Sequence, residues 1–345
     1  MTNWNSAYSS ISAYAVDAGT GALKRVRGSP FATGSYPWSV AIDPAGKFAY
    51  VTNYDSNNVS GYAIDASSGA LTPVPGSPFA AGQAPTGVAI DPTGKFAYVT
   101  NVLTNDVSAY VINASNGALT QVQGSPFAAG DWPSAVAVDP AGKFAYVANS
   151  NGDTLSGYAI DARSGALTPV KGSPFATGPV PAWVAIDRAG KFVYVVNYDT
   201  SYDSDNVSAY AINRNSGALT QIKGSPFAAG SFPDAVAIDP TGEFVYVANN
   251  DSNTVSAYTI NARSGALTQI NGSPFATRSF PGPLAIDPAG KFAYVAAGQY
   301  GLSAYAINAS SGALSLIGKF APHSSPSCGL ATCRVVGGRC IPPPL

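Results

Sequence analysis

The segment Phe96-Ala-Tyr-Val-Thr-Asn101 decides the fold of this 345-residue chain, because its side chains alternate in size and close copies of it recur. Alternation with period 2 is typical of a half-buried β-strand. The turn Asp91-Pro-Thr-Gly94 precedes it, with Pro pre-setting the turn and Gly accepting the positive φ that closes it. Copies of the strand begin at Phe48, Phe96, Phe144, Phe192, Phe244 and Phe292. Such recurrence predicts one structural unit used many times.

Each repeat reads as four strands. The Gly of Ser-Gly-Ala-Leu, or of a near copy, recurs at steps of 48, 48, 48, 52, 48 and 47 residues. In the second repeat, residues 88–90, 96–100, 107–112 and 119–122 are the predicted strands a, b, c and d. No segment has helical periodicity over more than a few residues. Four-stranded units of this length, repeated radially, are the blades of a β-propeller, so the predicted fold is all-β.

The number of blades follows from the two ends of the chain. Six repeats are complete, and before them the chain supplies only strands c (residues 10–16) and d (residues 22–26). Residues 329–332 resemble a degenerate strand a, and residues 334–341 stand in for strand b. We therefore predict seven blades of four antiparallel strands, the last closed by N-terminal and C-terminal strands, which removes exposed strand edges. The alternative is six full blades plus a half-blade.

The predicted propeller is a single domain of residues 1–332. The tail at residues 333–345 contains Cys and Pro and is either a closing strand or disordered. Two of the three cysteines, Cys333 and Cys340, are placed to form a disulfide across the predicted tail hairpin, whereas Cys328 precedes it. The three lack the paired spacing of a zinc site.

Composition excludes several classes of function. The formal net charge is −1 and no basic cluster occurs, so the electrostatic footprint of nucleic-acid binding is missing. No apolar run approaches the ~18 residues that span a bilayer, and the N-terminus lacks the pattern of a signal peptide. Scarce Lys and Glu with abundant Ser, Asn and Thr resemble exported bacterial proteins, so we expect an extracytoplasmic location. We also expect a monomer.

The strings Phe-Ala-Tyr-Val-Thr-Asn at residues 48–53 and 96–101 resemble the YVTN β-propeller repeat family. The Val-Ser-Ala-Tyr and Ser-Gly-Ala-Leu-Thr segments that follow are similar to those of lactonase-type seven-bladed propellers. The resemblance extends to about residue 331 and implies the propeller fold. It is less specific for function, because such propellers include lactone hydrolases as well as binding and surface proteins.

The resemblance to lactonases implies a cluster of His, Arg and Glu at the mouth of the central channel, and this chain departs from that pattern. Its only His is His323 in the tail, and its only Glu is Glu243, in an a–b turn on the opposite face. Among the arginines, Arg278 alone lies in a d–a loop at the expected mouth. No catalytic residue is therefore assigned. We expect a non-catalytic module that binds a protein, a peptide or a glycan; the alternatives are a lactonase-like hydrolase of the 6-phosphogluconolactonase type and a truncated repeat-protein fragment.

Ligand-binding candidates come from the segments just before strand a, which differ among otherwise similar repeats. Aromatic rings interleaved with carboxylates at the channel mouth could stack on a sugar ring or bind a peptide. The alternative is that the aromatic side chains wedge between adjacent blades. The candidates are Trp38, Trp132, Trp183, Asp131, Asp234 and Arg278.

A metal site is the last candidate. The long loop of the fourth complete repeat places Asp199, Asp203 and Asp205 among Ser and Asn oxygens, and oxygen-rich loops suit Ca²⁺. The loop lacks the Gly and the closing Glu of an EF-hand. A solvated polar loop is the alternative, and no other cofactor is expected.

Overall fold

The structure, a computed structural model, describes residues 1–3, 9–199, 205–297, 301–320, 330, 334–336 and 339–341. Within these residues the regular secondary structure is entirely β, and no helix is long and apolar enough to cross a membrane. The described strands form the sheets of seven blades, numbered here from the N-terminus. The predicted seven-bladed, all-β fold is confirmed.

The strands of the first three blades are as follows. The first blade contains β1 (Thr2–Asn3), β2 (Ser10–Ile11), β3 (Tyr14–Val16), β4 (Leu23–Arg25) and β5 (Phe31–Ala32). The second contains β6 (Pro37–Ile42), β7 (Phe48–Asn53), β8 (Asn58–Ile64), β9 (Leu71–Pro73) and β10 (Phe79–Ala80). The third contains β11 (Pro85–Ile90), β12 (Phe96–Asn101), β13 (Asp106–Ile112), β14 (Leu119–Gln121) and β15 (Phe127–Ala128).

The remaining blades repeat this pattern. The fourth contains β16 (Pro133–Val138), β17 (Phe144–Asn149), β18 (Thr154–Ile160), β19 (Leu167–Pro169) and β20 (Phe175–Ala176). The fifth contains β21 (Pro181–Ile186), β22 (Phe192–Asn197), β23 (Asn206–Ile212), β24 (Leu219–Gln221) and β25 (Phe227–Ala228). The sixth contains β26 (Pro233–Ile238), β27 (Phe244–Asn249), β28 (Thr254–Ile260), β29 (Leu267–Gln269) and β30 (Phe275–Ala276). The seventh contains β31 (Leu284–Ile286), β32 (Phe292–Ala296), β33 (Leu302–Ile307) and β34 (Leu314–Phe320), and the tail adds β35 (Arg334–Val336) and β36 (Arg339–Ile341).

Within a blade the strands are antiparallel, and the outer strand is interrupted in blades one to six. In the third blade, β14 and β15 are the two halves of strand d, and both pair with strand c, β13. The interruption is the Gly-Ser-Pro segment before Phe127. There the hydroxyl of Ser125 accepts a hydrogen bond of 2.9 Å from the amide of Ala109, replacing the acceptor that a continuous strand would offer. The recurring Ser thus satisfies a strand-c amide that would otherwise lack a partner.

Neighbouring blades are joined by the recurring Phe and Tyr of strand b. The Tyr50 hydroxyl donates to the carbonyl oxygen of Gly117 in the next blade at 2.8 Å, and a Cβ atom on Gly117 would lie 2.4 Å from the Phe48 ring. Glycine is needed there because its φ is +75° and because the ring occupies the space of a side chain. The same tyrosine bond, at 2.8 to 3.1 Å, recurs as Tyr98–Gly165, Tyr146–Gly217, Tyr194–Gly265 and Tyr246–Gly312.

The ring closes between the seventh blade and the first. The Tyr294 hydroxyl donates to the Gly21 carbonyl oxygen at 3.0 Å, and Met1, Leu302 and Leu330 belong to the hydrophobic cluster at this junction. The first blade therefore follows the seventh in space, as predicted from the sequence. In the described part of the tail, β35 pairs with β36 in a two-stranded sheet of its own, and the N-terminal β1 pairs with β2.

Candidate active site at the channel mouth

The mouth of the channel is formed by the starts of the a strands and by the loops next to them. The a strands of successive blades lie against one another around the channel. Their approach is close, because a Cβ atom on Gly87 would lie 2.9 Å from Cα of Ala135. Hydroxyls bridge adjacent strands here: Thr86 donates to the carbonyl oxygen of Pro133 at 3.2 Å, and Ser134 donates to that of Pro181 at 3.0 Å.

Asp234 occupies the position of these hydroxyls in the sixth blade. Its side chain is half-buried, and a Cβ atom on Gly282 of the neighbouring blade would lie 2.9 Å from Oδ2 of Asp234. Among the described residues its carboxylate has no hydrogen-bond partner, since an ionised carboxylate cannot donate to a carbonyl as Thr86 and Ser134 do. Burial raises the pKa of Asp234 from 3.8 to about 6.

An aromatic pair lies beside Asp234. The rings of Tyr198 and Phe232 stack with centroids 4.1 Å apart and planes at 28°, joining the fifth blade to the sixth. Burial raises the pKa of the Tyr198 phenol, and the charge of Asp234 raises it further. The phenol is therefore neutral near pH 7 and keeps its proton, so it can donate to a ligand held near the Asp234 carboxylate.

Arg278 lies in the loop that leads to Gly282. Five other blades have Gly at this position, where a Cβ atom would lie only 2.6 to 2.9 Å from the Asn that ends strand b. The seventh blade has Ala297 in place of that Asn, which leaves room for the arginine. Arg278 is half-buried, and its Nε is shielded from solvent and has no hydrogen-bond partner within the described ranges. The glycines that Arg278 replaces are Gly34, Gly82, Gly130, Gly178 and Gly230.

The three predicted tryptophans lie in different blades and in different environments. Trp38 is half-buried against Tyr36 and Tyr54, with ring centroids 5.9 and 5.6 Å away. Trp183 is half-buried and packs against two of the clusters between blades, which matches the wedge alternative. Trp132 is 39% exposed, so its ring is open to solvent at the rim.

The remaining sequence candidates are placed away from the Asp234 carboxylate or play a local role. Asp131 is exposed and accepts a hydrogen bond of 3.2 Å from Asn105. Glu243 is exposed in the turn between β26 and β27, on the face opposite the mouth as expected. His323, Cys328 and Cys333 lie outside the described residues.

The predicted calcium loop is described only in part, because Asp203 lies outside the described residues. Asp205 accepts hydrogen bonds of 2.9 Å from the backbone amides of Asp199 and Phe232, so its oxygens stabilise the loop. In the described part of the chain, no three His, Cys, Asp or Glu side chains converge on a possible metal position. Calcium binding by this loop stays a prediction.

Asp234 and Arg278 are among the residues predicted from the sequence, whereas Tyr198, which follows strand b directly, is not. The only sequence signal was the variation at this position between repeats, where Tyr54, Val102, Ser150 and Asn250 are the equivalents. Variation at one position does not predict that Tyr198 stacks on Phe232, because the two rings belong to different blades.

Comparison with solved structures shows the same fold in proteins of low sequence identity. A periplasmic gluconolactonase from Pseudomonas aeruginosa superposes with a TM-score of 0.78 at 21% identity, covering 94% of this chain and 96% of that one. A protein from Lactobacillus plantarum gives a TM-score of 0.78 at 20% identity, covering 95% and 96%. A search of curated protein sequences finds no match.

The sequence itself matches the family described as lactonase, seven-bladed β-propeller. The matched residues are 3–84, 71–228 and 180–277, which together span most of the chain. This match, with a gluconolactonase among the structural neighbours, contradicts the expectation of a non-catalytic binding module and favours the lactonase-like alternative. The expectation rested on the departure of this chain from the His, Arg and Glu pattern that the resemblance to lactonases implies, and on the acidic loop face. The chain belongs to the lactonase family of seven-bladed β-propellers.

Proposed function

We propose that this protein hydrolyses sugar lactones at the channel mouth, with Asp234 as the general base. The observation that carries the proposal is the half-buried carboxylate of Asp234, which has no hydrogen-bond partner among the described residues and whose pKa is raised to about 6. A base with a pKa near the working pH combines a large ionised fraction with useful proton affinity. Titratable groups whose pKa is shifted by burial are also common in active sites, so the position of Asp234 at a channel mouth favours a functional role.

Hydrolysis by this group proceeds by attack of water. The Asp234 carboxylate takes a proton from a water molecule as the water oxygen bonds to the carbonyl carbon of the lactone. The ring C–O bond then breaks, and the departing ring oxygen takes the proton from Asp234. The product is the open-chain hydroxy acid, and Asp234 returns to its ionised form.

Two neighbours support this reaction. Arg278 lies in the loop that leads to Gly282, which borders Asp234, and we propose that its guanidinium stabilises the negative charge that develops on the carbonyl oxygen. The stacked rings of Tyr198 and Phe232 provide an apolar surface for one face of a sugar ring. This support replaces the His, Arg and Glu set that the resemblance to lactonases implies.

The test is hydrolysis of a panel of aldonolactones by purified protein, with the spontaneous opening of each lactone subtracted. We expect turnover by the native protein and a loss of about 100-fold or more in Asp234→Asn, because general-base catalysis contributes that much. Asp131→Asn is the matched control, since it removes an exposed carboxylate from the same face. Equal rates in the two variants, or no turnover of any lactone by the native protein, would overturn the proposal.

A location outside the cytoplasm belongs to the same proposal. It is supported by the scarcity of Lys and Glu and by the similar fold of a periplasmic gluconolactonase. Fractionation of cells that express the complete gene tests it, and recovery of the protein with cytoplasmic markers would contradict it. Membership of the narrower YVTN repeat group stays a prediction.

A further inference from the structure

The face opposite the mouth carries a cavity between the fourth and fifth blades. Its volume is about 360 Å³, which lies in the range of small-molecule sites. The turn between β16 and β17 forms one wall, and the turn between β21 and β22 forms the other. Three cationic side chains line it, namely Lys143, Arg188 and Arg214.

Both arginines depart from an otherwise uniform repeat. Arg188 follows the Asp of the a–b turn, where the five other described turns have Pro44, Pro92, Pro140, Pro240 and Pro288. Arg214 lies in the c–d turn, where the six other turns have Ala18, Ala66, Ala114, Ala162, Ala262 and Ala309. The fold therefore requires neither arginine, and yet both changes occur in the fifth blade and line the same cavity.

Both arginines are exposed, and each guanidinium donates one hydrogen bond to a backbone carbonyl and keeps unused donors. Arg188 Nη1 donates to the carbonyl oxygen of Pro240 at 2.9 Å, and Arg214 Nη2 donates to that of Ala189 at 2.7 Å. Among the described residues, neither arginine forms an ion pair. Since a guanidinium has five N–H donors, each has several left for a ligand.

The one carboxylate in the cavity wall is already engaged. Asp139 is buried, and its Oδ1 accepts hydrogen bonds from the amides of Lys143 and Phe144 at 2.5 and 2.6 Å. Its Oδ2 accepts another from the amide of Ala141 at 3.1 Å. The Asp139 charge is thus stabilised by the turn itself, and the cavity presents an excess of positive charge.

We propose that this cavity binds a small, multiply charged oxyanion, with Arg188 and Arg214 as its ligands and Lys143 adding charge. Arginine suits such a ligand because its planar fork donates two parallel hydrogen bonds to phosphate or carboxylate oxygens. The site lies on the opposite face from Asp234 and does not depend on the lactonase proposal. It adds a second binding site to the propeller.

Calorimetric titration of the whole protein with inorganic pyrophosphate, and separately with citrate, tests the site and distinguishes phosphate from carboxylate ligands. The variant is Arg188→Pro with Arg214→Ala, which restores the residues of the other blades and therefore suits the fold. We expect saturable binding of at least one anion, weakened about tenfold or more per arginine removed. Arg163→Ala is the matched control, because it removes an exposed arginine from a c–d turn outside the cavity.

The outcomes separate clearly. Retained binding in Arg163→Ala with lost binding in the double variant supports the site. Equal binding in both variants would assign the anion to general surface charge and overturn the proposal, as would the absence of saturable binding of either anion by the native protein. Lactone hydrolysis by the double variant should match the native rate, so that failure here does not bear on Asp234.

Discussion

The hydroxyl of Tyr294 donates a hydrogen bond of 3.0 Å to the carbonyl oxygen of Gly21, although 273 positions separate the two residues. Five other blade junctions contain the same bond between strand b of one blade and a turn of the next. Because Tyr294 and Gly21 belong to the last and first blades, their bond shows that the ring is closed. Burial raises the pKa of Tyr294, so its phenol remains a donor.

Tyr294→Phe should weaken this closure. The carbonyl oxygen of Gly21 would lose a buried donor, at a cost of about 1–3 kcal/mol in the free energy of unfolding. Tyr146→Phe removes the equivalent bond at an interior junction and serves as the control. Hydrogen exchange should quicken at the amides of β2 and β3 in Tyr294→Phe only. Equal exchange at those amides in the two variants would contradict a closing role for this bond.

Gly117→Ala should destabilise the junction between the second and third blades. The new methyl group would lie 2.4 Å from the Phe48 ring, and the φ of +75° disfavours any side chain. We expect a loss of about 2–4 kcal/mol, measured by urea unfolding, from overpacking and backbone strain together. Gly94→Ala shares the strain, at φ +69°, but its nearest neighbour would be 3.5 Å away. If Gly94→Ala lowers the free energy of unfolding by as much as Gly117→Ala does, overpacking against Phe48 contributes nothing and the prediction is wrong.

Ser125→Ala should destabilise the third blade at the Gly-Ser-Pro interruption of its outer strand. The amide of Ala109 would lose its acceptor, and we expect a loss of about 1–3 kcal/mol with faster exchange of that amide. Ser115→Ala is the control, because Ser115 lies in an exposed turn and bonds to nearby Asn113. Unchanged exchange at Ala109 would show that another acceptor takes over.

Asp234→Asn should change the pH dependence of stability. The pKa of Asp234 is about 6 in the folded protein and 3.8 in the reference state, so the folded state holds the proton more tightly between these values. Stability linked to this group is therefore fully present below pH 4 and is lost as the pH rises through 6. The loss is at most about 3 kcal/mol.

Thermal unfolding of the native protein and of Asp234→Asn at pH 4 and pH 8 checks this prediction. The variant lacks the buried charge, so its melting temperature should exceed that of the native protein at pH 8 and not at pH 4. Asp131→Asn, which changes an exposed carboxylate, should follow the native protein at both values. A constant difference between the native protein and Asp234→Asn would show that the carboxylate does not titrate in this range.

The sequence by itself determined the strands and turns that make up each blade. The alternating strand from Phe96, the Asp-Pro-x-Gly turn and the period of about 48 residues are local features, and each acts through backbone geometry or nearest-neighbour packing. Even the number of blades followed, because repeats can be counted along the chain. Trp38, Asp234 and Arg278 were predicted to lie at the channel mouth for the same reason, since they depart from a pattern that the repeat makes visible.

The environment and the contacts of these variable side chains depend on the tertiary structure. The pKa of Asp234 depends on burial against Gly282 in the next blade, and the stack of Tyr198 on Phe232 also crosses a blade boundary. The turn-face cavity brings Arg188 and Arg214 together, although 25 residues separate Arg214 from its partner Ala189. Desolvation and side-chain contact depend on what lies across a junction, and the repeat pattern fixes which blades meet without fixing which side chains touch.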